Sequence, residues 1–373
     1  MGVGGMGSAT LFHLAGRGLR VLGLERYDLV HEYGSSHGLT RIIRLAYWEH
    51  PSYVALLHRS YELWRDLERE AGEQLLHITG SVDAGPASGS IFSGALRSSE
   101  LHGLEHQVLD GAQLHRRFPG YQLPKETQCL YQPEGGFLLP ERCNLAHTAG
   151  AQSRGAEVRC REQVLDWGVA QGRAWVRTTR ASYEAGRLVI CAGSWAGKLI
   201  PDVQGLAVPE RQVLAWLQPS RPEWFLPAVF PVFNLEVDEG RFYGFPSFLV
   251  PGFKFGKYHH RGEVVDPDQP RREPDSEDEE LLRSFARRYF PEGAGPALML
   301  KTSLFTNSPD RHFILDLHPE HPEVSLAAGF SGHGYKFCSV VGEIMADLAQ
   351  KGETRHDIEF FRLARFSGRG SSP

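Results

Sequence analysis

The sequence predicts an α/β fold in two parts: a nucleotide-binding unit of alternating helices and strands, and a second α+β unit built on a mixed sheet. The chain has 373 residues, more than the roughly 150 of one ordinary domain. Residues up to about 77 alternate helix and strand patterns. By contrast, 78–135 and 207–303 contain aromatic runs interrupted by proline, which are typical of antiparallel-rich sheets.

The first unit begins with a dinucleotide-binding pattern, so we expect it to be Rossmann-like. Gly2, Gly4 and Gly7 form a G-x-G-x-x-G motif, a helical pattern follows at once, and the next strand pattern ends at Glu25. The first glycine permits a tight turn, the second lets backbone N–H groups approach a pyrophosphate, and the third lets helix and strand pack closely. The carboxylate after the strand is placed to accept hydrogen bonds from a ribose.

A hydrophobic strand should precede Gly2 in such a unit. That strand is central in a doubly wound sheet and anchors the phosphate-binding loop. We therefore expect the gene to encode an in-frame strand upstream of Met1. The alternative is a chain that binds its cofactor poorly.

Composition argues against several other classes of protein. Lys and Arg number 40 against 45 Asp and Glu, a formal charge of −5, and their scattered placement predicts no nucleic-acid partner. No apolar stretch approaches the roughly 18 residues that cross a bilayer. Five widely spaced cysteines predict reduced thiols in a cytoplasmic protein, with neither a disulfide framework nor a metal site. The acidic run at 274–280 is expected to begin a helix, capped by Asp275 or Ser276 and ending near Tyr289.

Three later segments favour FAD over NAD, although both cofactors share the glycine motif. Residues 34–47 form a loop rich in polar donors. Residues 188–195 form a short apolar strand that ends in Ala-Gly. Residues 324–336 read as a strand, a glycine turn and a helix start, which provides a second helix N-terminus for an anion.

Taken together, these segments resemble the monomeric sarcosine oxidase family of flavin amine oxidases, which also includes pipecolate and N-methyltryptophan oxidases. The similarity covers nearly the whole chain. It is carried, in order, by GVGGMGS at 2–8, GSSHGLTRIIRLAY at 34–47, YGFPSF at 243–248, KFG at 254–256, FTNSPD at 305–310, ILDLHPE at 314–320 and AGFSGHGYKF at 328–337.

The resemblance implies a discontinuous FAD-binding domain and a substrate domain whose mixed sheet covers the flavin. We assign 1–77, 136–206 and 304–366 to the first, 78–135 and 207–303 to the second, and 367–373 to a disordered tail. It also implies a monomer whose partners are a small amino-acid substrate and O₂, with no membrane or nucleic-acid partner.

The implied FAD contacts lie in the glycine motif, the polar loop and the two later glycine turns. His37 and Arg41 match residues that the family places against the flavin ring, where fixed positive charge favours a ring that becomes anionic on reduction. The full set is Gly2, Gly4, Gly5, Met6, Gly7, Glu25, Arg26, Ser36, His37, Thr40, Arg41, Val164, Ala192, Gly193, Trp195, Gly329, Gly332, His333, Gly334 and Lys336.

The resemblance also implies a seat for the substrate. Arg44 and Lys336 match the carboxylate-binding pair of the family. Tyr47 and Tyr243 match aromatic residues of the substrate pocket, and Tyr243 is expected to donate a hydrogen bond to the carboxylate. The alternative for Arg44 is an arginine paired with an acid. For the two tyrosines the alternative is ordinary packing in a sheet.

Lys254 matches the lysine that the family holds over the flavin, where a cation stabilises the superoxide formed when O₂ takes its first electron. The family pattern then has a pocket histidine, but this chain carries one extra residue there. We choose His259, with His260 as the alternative. The predicted catalytic residues are thus Lys254, His259, Arg41, His37 and Tyr243.

Ser303 marks a departure from the family, whose members attach FAD through a cysteine at this position. A serine hydroxyl is a much weaker nucleophile than a thiolate unless a base activates it. We therefore predict noncovalent FAD. Cys338 is the alternative point of attachment.

These residues predict an FAD-dependent oxidase of secondary α-amino acids such as sarcosine. Hydride passes from the amine to the flavin, the imine hydrolyses, and O₂ is reduced to H₂O₂. The alternatives are a flavin dehydrogenase with another electron acceptor, a cofactor-poor relative that only binds small acids, and an NAD-dependent dehydrogenase.

Overall fold

Helices and strands alternate at the start of the chain, as the α/β prediction requires. The structure, a computed structural model, describes residues 1–367. The predicted disordered tail therefore lies outside the described residues, except for Ser367. The α-helices of the described residues are α1 Gly5–Gly16, α2 Tyr53–Ala71, α3 Ser90–His102, α4 Gly111–Arg117, α5 Pro140–Ser153, α6 Ala196–Leu199, α7 Ser276–Tyr289 and α8 Cys338–Lys351.

The strands form five sheets within the described residues. In chain order they are β1 Leu22–Leu24, β2 Arg41–Ile43, β3 Leu76–Ile78, β4 Ser81–Gly85, β5 Gln107–Asp110, β6 Gln128–Gln132, β7 Gly136–Leu138, β8 Glu157–Arg159, β9 Val164–Ala170, β10 Arg173–Thr178, β11 Ser182–Ala185, β12 Leu188–Ile190, β13 Val208–Leu217, β14 Val232–Val237, β15 Gly240–Phe245, β16 Phe253–Lys257, β17 Ala297–Asn307, β18 Ile314–Leu317 and β19 Val324–Ala328.

The largest sheet is mixed and has eight strands in the order β17-β13-β16-β15-β14-β4-β6-β5. Only β14 and β4 pair in parallel, and all other neighbours are antiparallel. Phenylalanines of β14, β15 and β16 pack against α7, and the rings of Phe242 and Phe285 stack 3.7 Å apart. Burial of each such ring stabilises the fold by about 1.5–3 kcal/mol. The mixed sheet predicted from sequence is confirmed.

The Rossmann-like unit contains two parallel pairs, β1 with β8 and β12 with β19. Residues Met1–Gly2 lie between these pairs. The Met1 amine donates to the Val189 carbonyl at 2.8 Å, and the Gly2 N–H donates to the Leu24 carbonyl at 2.8 Å. These residues therefore link β12 to β1 through backbone hydrogen bonds, and the strand expected upstream of Met1 stays a prediction.

Helix α7 begins and ends where the sequence predicts. Asp275 is its N-cap, and its carboxylate accepts from the Asp278 N–H at 2.8 Å, while the Asp278 carboxylate accepts from the Asp275 N–H at 3.0 Å. This reciprocal capping, with acidic residues facing the positive end of the helix dipole, explains the acidic run. Across the described residues, no helix has the length and apolar character needed to span a membrane.

Candidate active site

A long cavity runs from the N-terminus of α1 to the face of the eight-stranded sheet. On the Rossmann-like side it is lined by Gly2, Gly4, Gly5, Met6, Glu25, Arg26, Ser36, Arg41, Val164, Ala192, Gly193, Trp195, Gly329, Gly332, His333, Gly334 and Lys336. The sheet contributes Leu214, Tyr243, Phe245, Tyr258, Ser303 and Phe305. Three expected FAD contacts, Gly7, His37 and Thr40, do not line it.

The glycine motif has the geometry that a pyrophosphate needs. Gly2 has φ +79°, and a Cβ there would collide with the Cys191 carbonyl. A Cβ on Gly7 would collide with the Gly2 carbonyl. A Cβ on Gly4 would meet nothing closer than the Ser36 hydroxyl, at 3.7 Å. Gly2 and Gly7 thus set the tight turn, and Gly4 leaves the N-terminus of α1 open to an anion.

Glu25 lies at the nucleoside end of the cavity, directly after β1. Its carboxylate accepts from the Val3 N–H at 2.8 Å and from the Tyr27 N–H at 3.0 Å, which fixes it in the cavity wall. Each carboxylate oxygen keeps a further lone pair for a ribose hydroxyl. The guanidinium of Arg26 closes this end: its Cζ atom lies 5.5 Å from the centroid of the Trp195 ring.

Arg41 and His37 lie in the polar loop, but only Arg41 lines the cavity. Its guanidinium donates to the carbonyls of Thr40 and Ser35, both at 2.9 Å. His37 is buried and neither ring nitrogen has a hydrogen-bond partner. Burial, followed by repulsion from Arg41, lowers the pKa of His37 to about 3, so its imidazole is neutral.

Lys254 points away from the phenylalanine face of β16, as strand alternation predicts. Its ammonium donates to the Gly38 carbonyl at 2.6 Å and to the carbonyl and hydroxyl of Thr40 at 2.8 and 2.7 Å. These acceptors match the three N–H groups of an ammonium, although burial and then Arg41 lower the pKa of Lys254 well below its usual value. Lys254 lies behind the loop and does not line the cavity.

Arg44 is buried behind the cavity and is already paired. It donates to the Ala46 carbonyl at 2.7 Å and to Glu49 at 2.8 Å, and its Nε lies 3.5 Å from Asp83. Burial opposes the charge, but Asp83 and Glu49 outweigh burial and raise the pKa of Arg44. Arg44 does not line the cavity. Its ion pairs with Glu49 and Asp83 match the alternative given above, an arginine paired with an acid.

Tyr47 also lies behind the cavity, where its hydroxyl meets Nδ1 of His333 at 2.5 Å. Lys336 and Tyr243, by contrast, do line it. Among the described residues the Lys336 ammonium has one hydrogen bond, to the His333 carbonyl at 2.8 Å. Burial and then Arg44 lower the pKa of Lys336 to about 7, against the opposing charges of Glu49 and Asp83.

Neither candidate histidine after β16 reaches the cavity. His259 has φ +57° and pairs with Glu210 at 2.9 Å, and His260 pairs with Asp278 at 3.0 Å. Tyr258 lines the cavity instead. Strand alternation explains this placement, because residues 254, 256 and 258 lie on the same face of the strand and its continuation. The structure therefore places Tyr258, and neither His259 nor His260, in the cavity wall.

The comparisons with known proteins decide the family. A sequence profile described as FAD dependent oxidoreductase matches residues 1–348. Monomeric sarcosine oxidase of Bacillus sp. (strain NS-129) is 40% identical over 98% of this chain and 95% of its own length. The chain belongs to the monomeric sarcosine oxidase family of FAD-dependent oxidoreductases. It is therefore an FAD-dependent enzyme, as the glycine motif and the later segments predict.

Two further relatives widen the comparison. N-methyl-L-tryptophan oxidase of Yersinia pestis (strain Pestoides F) is 31% identical over 98% of both chains. The solved structure of NikD, described as an unusual amino acid oxidase essential for nikkomycin biosynthesis, is 26% identical, with a TM-score of 0.83 over 97% of this chain and 95% of its own. The family thus shares this fold over nearly the full length of the chain.

Ser303 and Cys338 both line the cavity, at different places. Ser303 belongs to β17 in the sheet wall, opposite Gln212 of β13. Cys338 begins α8, and its sulfur would contact a Cβ placed on Gly5 in the glycine motif. Burial raises the pKa of the Cys338 thiol well above its usual range, which disfavours the reactive thiolate.

A buried polar cluster beside the cavity, formed by Glu49, Asp83 and Asn234 around Arg44, is not predicted from the sequence. All are nearly inaccessible to solvent, and Glu49 and Asp83 each keep one carboxylate oxygen without a partner. For Asp83 and Asn234 the available signal was a polar group in the middle of an otherwise apolar strand pattern, since such residues are rarely buried unless they are paired.

Proposed function

We propose that the protein is an oxidase of secondary α-amino acids, N-methyl or cyclic, with sarcosine as the simplest substrate, and that O₂ is reduced to H₂O₂. The observation that carries the proposal is the cavity itself, which joins the glycine motif to Lys336, Tyr243 and Tyr258. The names of the relatives support it, because they are oxidases of sarcosine and of N-methyl-L-tryptophan. FAD, when bound, accepts hydride from the carbon next to the substrate nitrogen.

Lys336 is the proposed seat of the substrate carboxylate. Its ammonium is buried, lines the cavity and uses a single hydrogen bond, so two N–H groups remain for an anion. Arg44 lies behind this site and balances the charges of Glu49 and Asp83, since Glu49 and Ala46 occupy its guanidinium. Tyr243 faces the same space and adds a hydroxyl.

Arg41 is the proposed electrostatic partner of the reduced cofactor. It is held in the cavity wall by two backbone carbonyls, so its charge is preorganised. His37, neutral and buried, supports the loop that carries it. We further propose that the cofactor is held without a covalent bond, because Ser303 provides no thiolate.

A monomer in the cytoplasm completes the proposal. The name of the Bacillus relative supports a monomer. The location is supported by five free cysteines, which form no disulfide among the described residues.

The second candidate is a dehydrogenase of the same substrates that passes electrons to another acceptor. One observation favours it: the Lys254 ammonium is fully occupied by Gly38 and Thr40 and does not line the cavity. A panel of sarcosine, N-methyl-L-alanine, L-proline and L-pipecolate, followed by peroxide production, separates the two. Peroxide equal to imine formed supports the oxidase, and imine formed only with an artificial acceptor supports the dehydrogenase.

Carboxylate binding should depend on pH through Lys336. Its pKa of about 7 means that the ammonium is present below that pH and is lost above it. The Kd of furan-2-carboxylate, which has no titrating amine, should therefore rise as pH increases from 6 to 9, by about tenfold per pH unit once the amine predominates. Titration of the flavin absorbance measures this dissociation constant.

Two variants of Lys336 serve as controls for that profile. Lys336→Arg keeps a permanent charge, so its Kd should be flat over the same range. Lys336→Met should bind weakly at every pH while FAD stays bound. A wild-type profile that is flat, or one that Lys336→Arg leaves unchanged, would show that another group holds the carboxylate.

A further inference from the structure

Two hydrogen bonds connect the cavity wall to a buried carboxylate. The Tyr258 hydroxyl donates to Oδ1 of Asn234 at 2.9 Å, and Nδ2 of Asn234 donates to Oδ1 of Asp83 at 2.7 Å. Asp83 and Asn234 are adjacent because β4 and β14 pair in parallel, with these residues in register. Of the three, Tyr258 is the one that lines the cavity.

The chemistry of the three groups fixes the direction of both bonds. An ionised carboxylate only accepts, so the Asn234 amide must point its NH₂ group at Asp83 and its oxygen at Tyr258. Burial raises the pKa of Asp83 to about 6, against the opposing effects of Arg44 and the Asn234 hydrogen bond, so the carboxylate is mainly ionised at neutral pH. The hydroxyl proton of Tyr258 is thereby committed to Asn234.

This arrangement gives the cavity an acceptor and not a donor at Tyr258. Burial, with the negative charge of Glu49 next, raises the pKa of Tyr258 well above its usual value, so the phenol keeps its proton. Its oxygen has lone pairs left for a ligand N–H. To offer a donor instead, the hydroxyl would have to abandon Asn234 and leave a buried amide oxygen unpaired.

We propose that Tyr258, oriented by Asn234 and Asp83, accepts a hydrogen bond from the N–H of the substrate nitrogen and thereby selects secondary over tertiary amines. This inference rests on the proposed function and deepens it. Sites that hydrogen-bond a substrate N–H discriminate strongly against analogues without it, because the buried partner is then left unpaired. Asn234 bonds to Tyr258 and Asp83 bonds to Asn234, so both act as positioning residues.

The test compares two unreactive carboxylates of nearly the same shape, pyrrole-2-carboxylate with an N–H and furan-2-carboxylate with an oxygen. Their Kd values are measured on the FAD-loaded enzyme by titration of the flavin absorbance. The wild type should bind the pyrrole about tenfold more tightly. Tyr258→Phe should abolish this preference, and Asp83→Asn should reduce it, because an amide at 83 no longer fixes the direction of the chain.

Tyr243→Phe is the matched control, since Tyr243 lines the same cavity but has no place in the chain of hydrogen bonds. It should leave the ratio of the two Kd values unchanged, whatever it does to each. The ratio should also fall in the wild type below pH 6, as Asp83 gains a proton and becomes a donor. The charged groups that face Asp83 are Arg44, Glu49, Lys336 and Tyr258.

The outcomes are distinguishable. Equal binding of both ligands by the wild type, or an unchanged preference in Tyr258→Phe, would overturn the inference while leaving the oxidase proposal intact. Failure of both ligands to bind would contradict the carboxylate seat of the proposed function and, with it, the inference.

Discussion

Replacing Lys254 with methionine is expected to slow reoxidation of the reduced enzyme by O₂ about a hundredfold, while reduction by substrate changes little. The Nζ atom of Lys254 lies 4.0 Å from the centroid of the Phe245 ring, and Phe245 is part of the cavity wall. We propose that the three acceptors on Gly38 and Thr40 keep Lys254 protonated despite its lowered pKa, so that its charge stabilises the negative charge that develops on O₂. Stopped-flow absorbance measures the two half-reactions separately: anaerobic mixing with substrate, then mixing of reduced enzyme with O₂.

The separation of half-reactions guards against a merely structural effect. Lys254 also holds the loop at Gly38 and Thr40, so its loss would slow both half-reactions if that contact were its main role. Lys254→Arg keeps the charge and should retain most of the O₂ reactivity. Equal slowing of both half-reactions in Lys254→Met would contradict a role in O₂ reduction and favour the dehydrogenase.

Introducing a cysteine by Ser303→Cys is expected to convert noncovalent FAD into covalent FAD. Ser303 lines the cavity on β17, so a thiolate there would reach a cofactor that occupies the space and form a thioether with the ring's methyl carbon, with O₂ as oxidant. Acid precipitation of the variant should leave the yellow colour with the polypeptide. The same treatment of the wild type should release all of it.

Thr302→Cys is the control for this substitution. Thr302 is the preceding residue of β17, does not line the cavity, and donates its hydroxyl to the Arg272 carbonyl. Successive side chains of a strand point to opposite faces, so a thiol at 302 should capture no flavin. Colour that stays with denatured wild-type protein would contradict noncovalent binding, and Cys338→Ser would then be the variant to examine.

Local patterns in the sequence were sufficient for the glycine motif and for the bounds of α7. The positive φ of Gly2 and the tight packing at Gly7 follow from spacing alone, because the motif needs them wherever it occurs. Helix α7 was likewise predictable, since its capping residues are sequence neighbours. Alternation along β16 is also a local pattern, and it puts Lys254 on the face opposite Phe253 and Phe255.

The functions of Arg44 and of the residues after β16 depend on contacts that are distant in sequence. Arg44 meets Asp83 because the N–H groups of Leu45 and Ala46 donate to Gln132 of β6, the antiparallel partner of β4, and no local pattern encodes this contact. Which side chain after β16 faces the cavity depends on a register of one residue, because a shift of one residue exchanges the two faces of a strand. Tyr258 therefore replaces His259 in the cavity wall.

The central claim is that bound flavin takes electrons from a secondary amino acid and passes them to O₂. The most direct measurement mixes the purified enzyme anaerobically with sarcosine or N-methyl-L-alanine, follows the visible absorbance of the flavin, then admits O₂ and quantifies H₂O₂. With one equivalent of substrate per flavin, we expect the absorbance to bleach, to return fully with O₂, and to yield one H₂O₂ per flavin. Absorbance that does not bleach with any member of the substrate panel, or that returns only with an artificial acceptor and without peroxide, would contradict the claim.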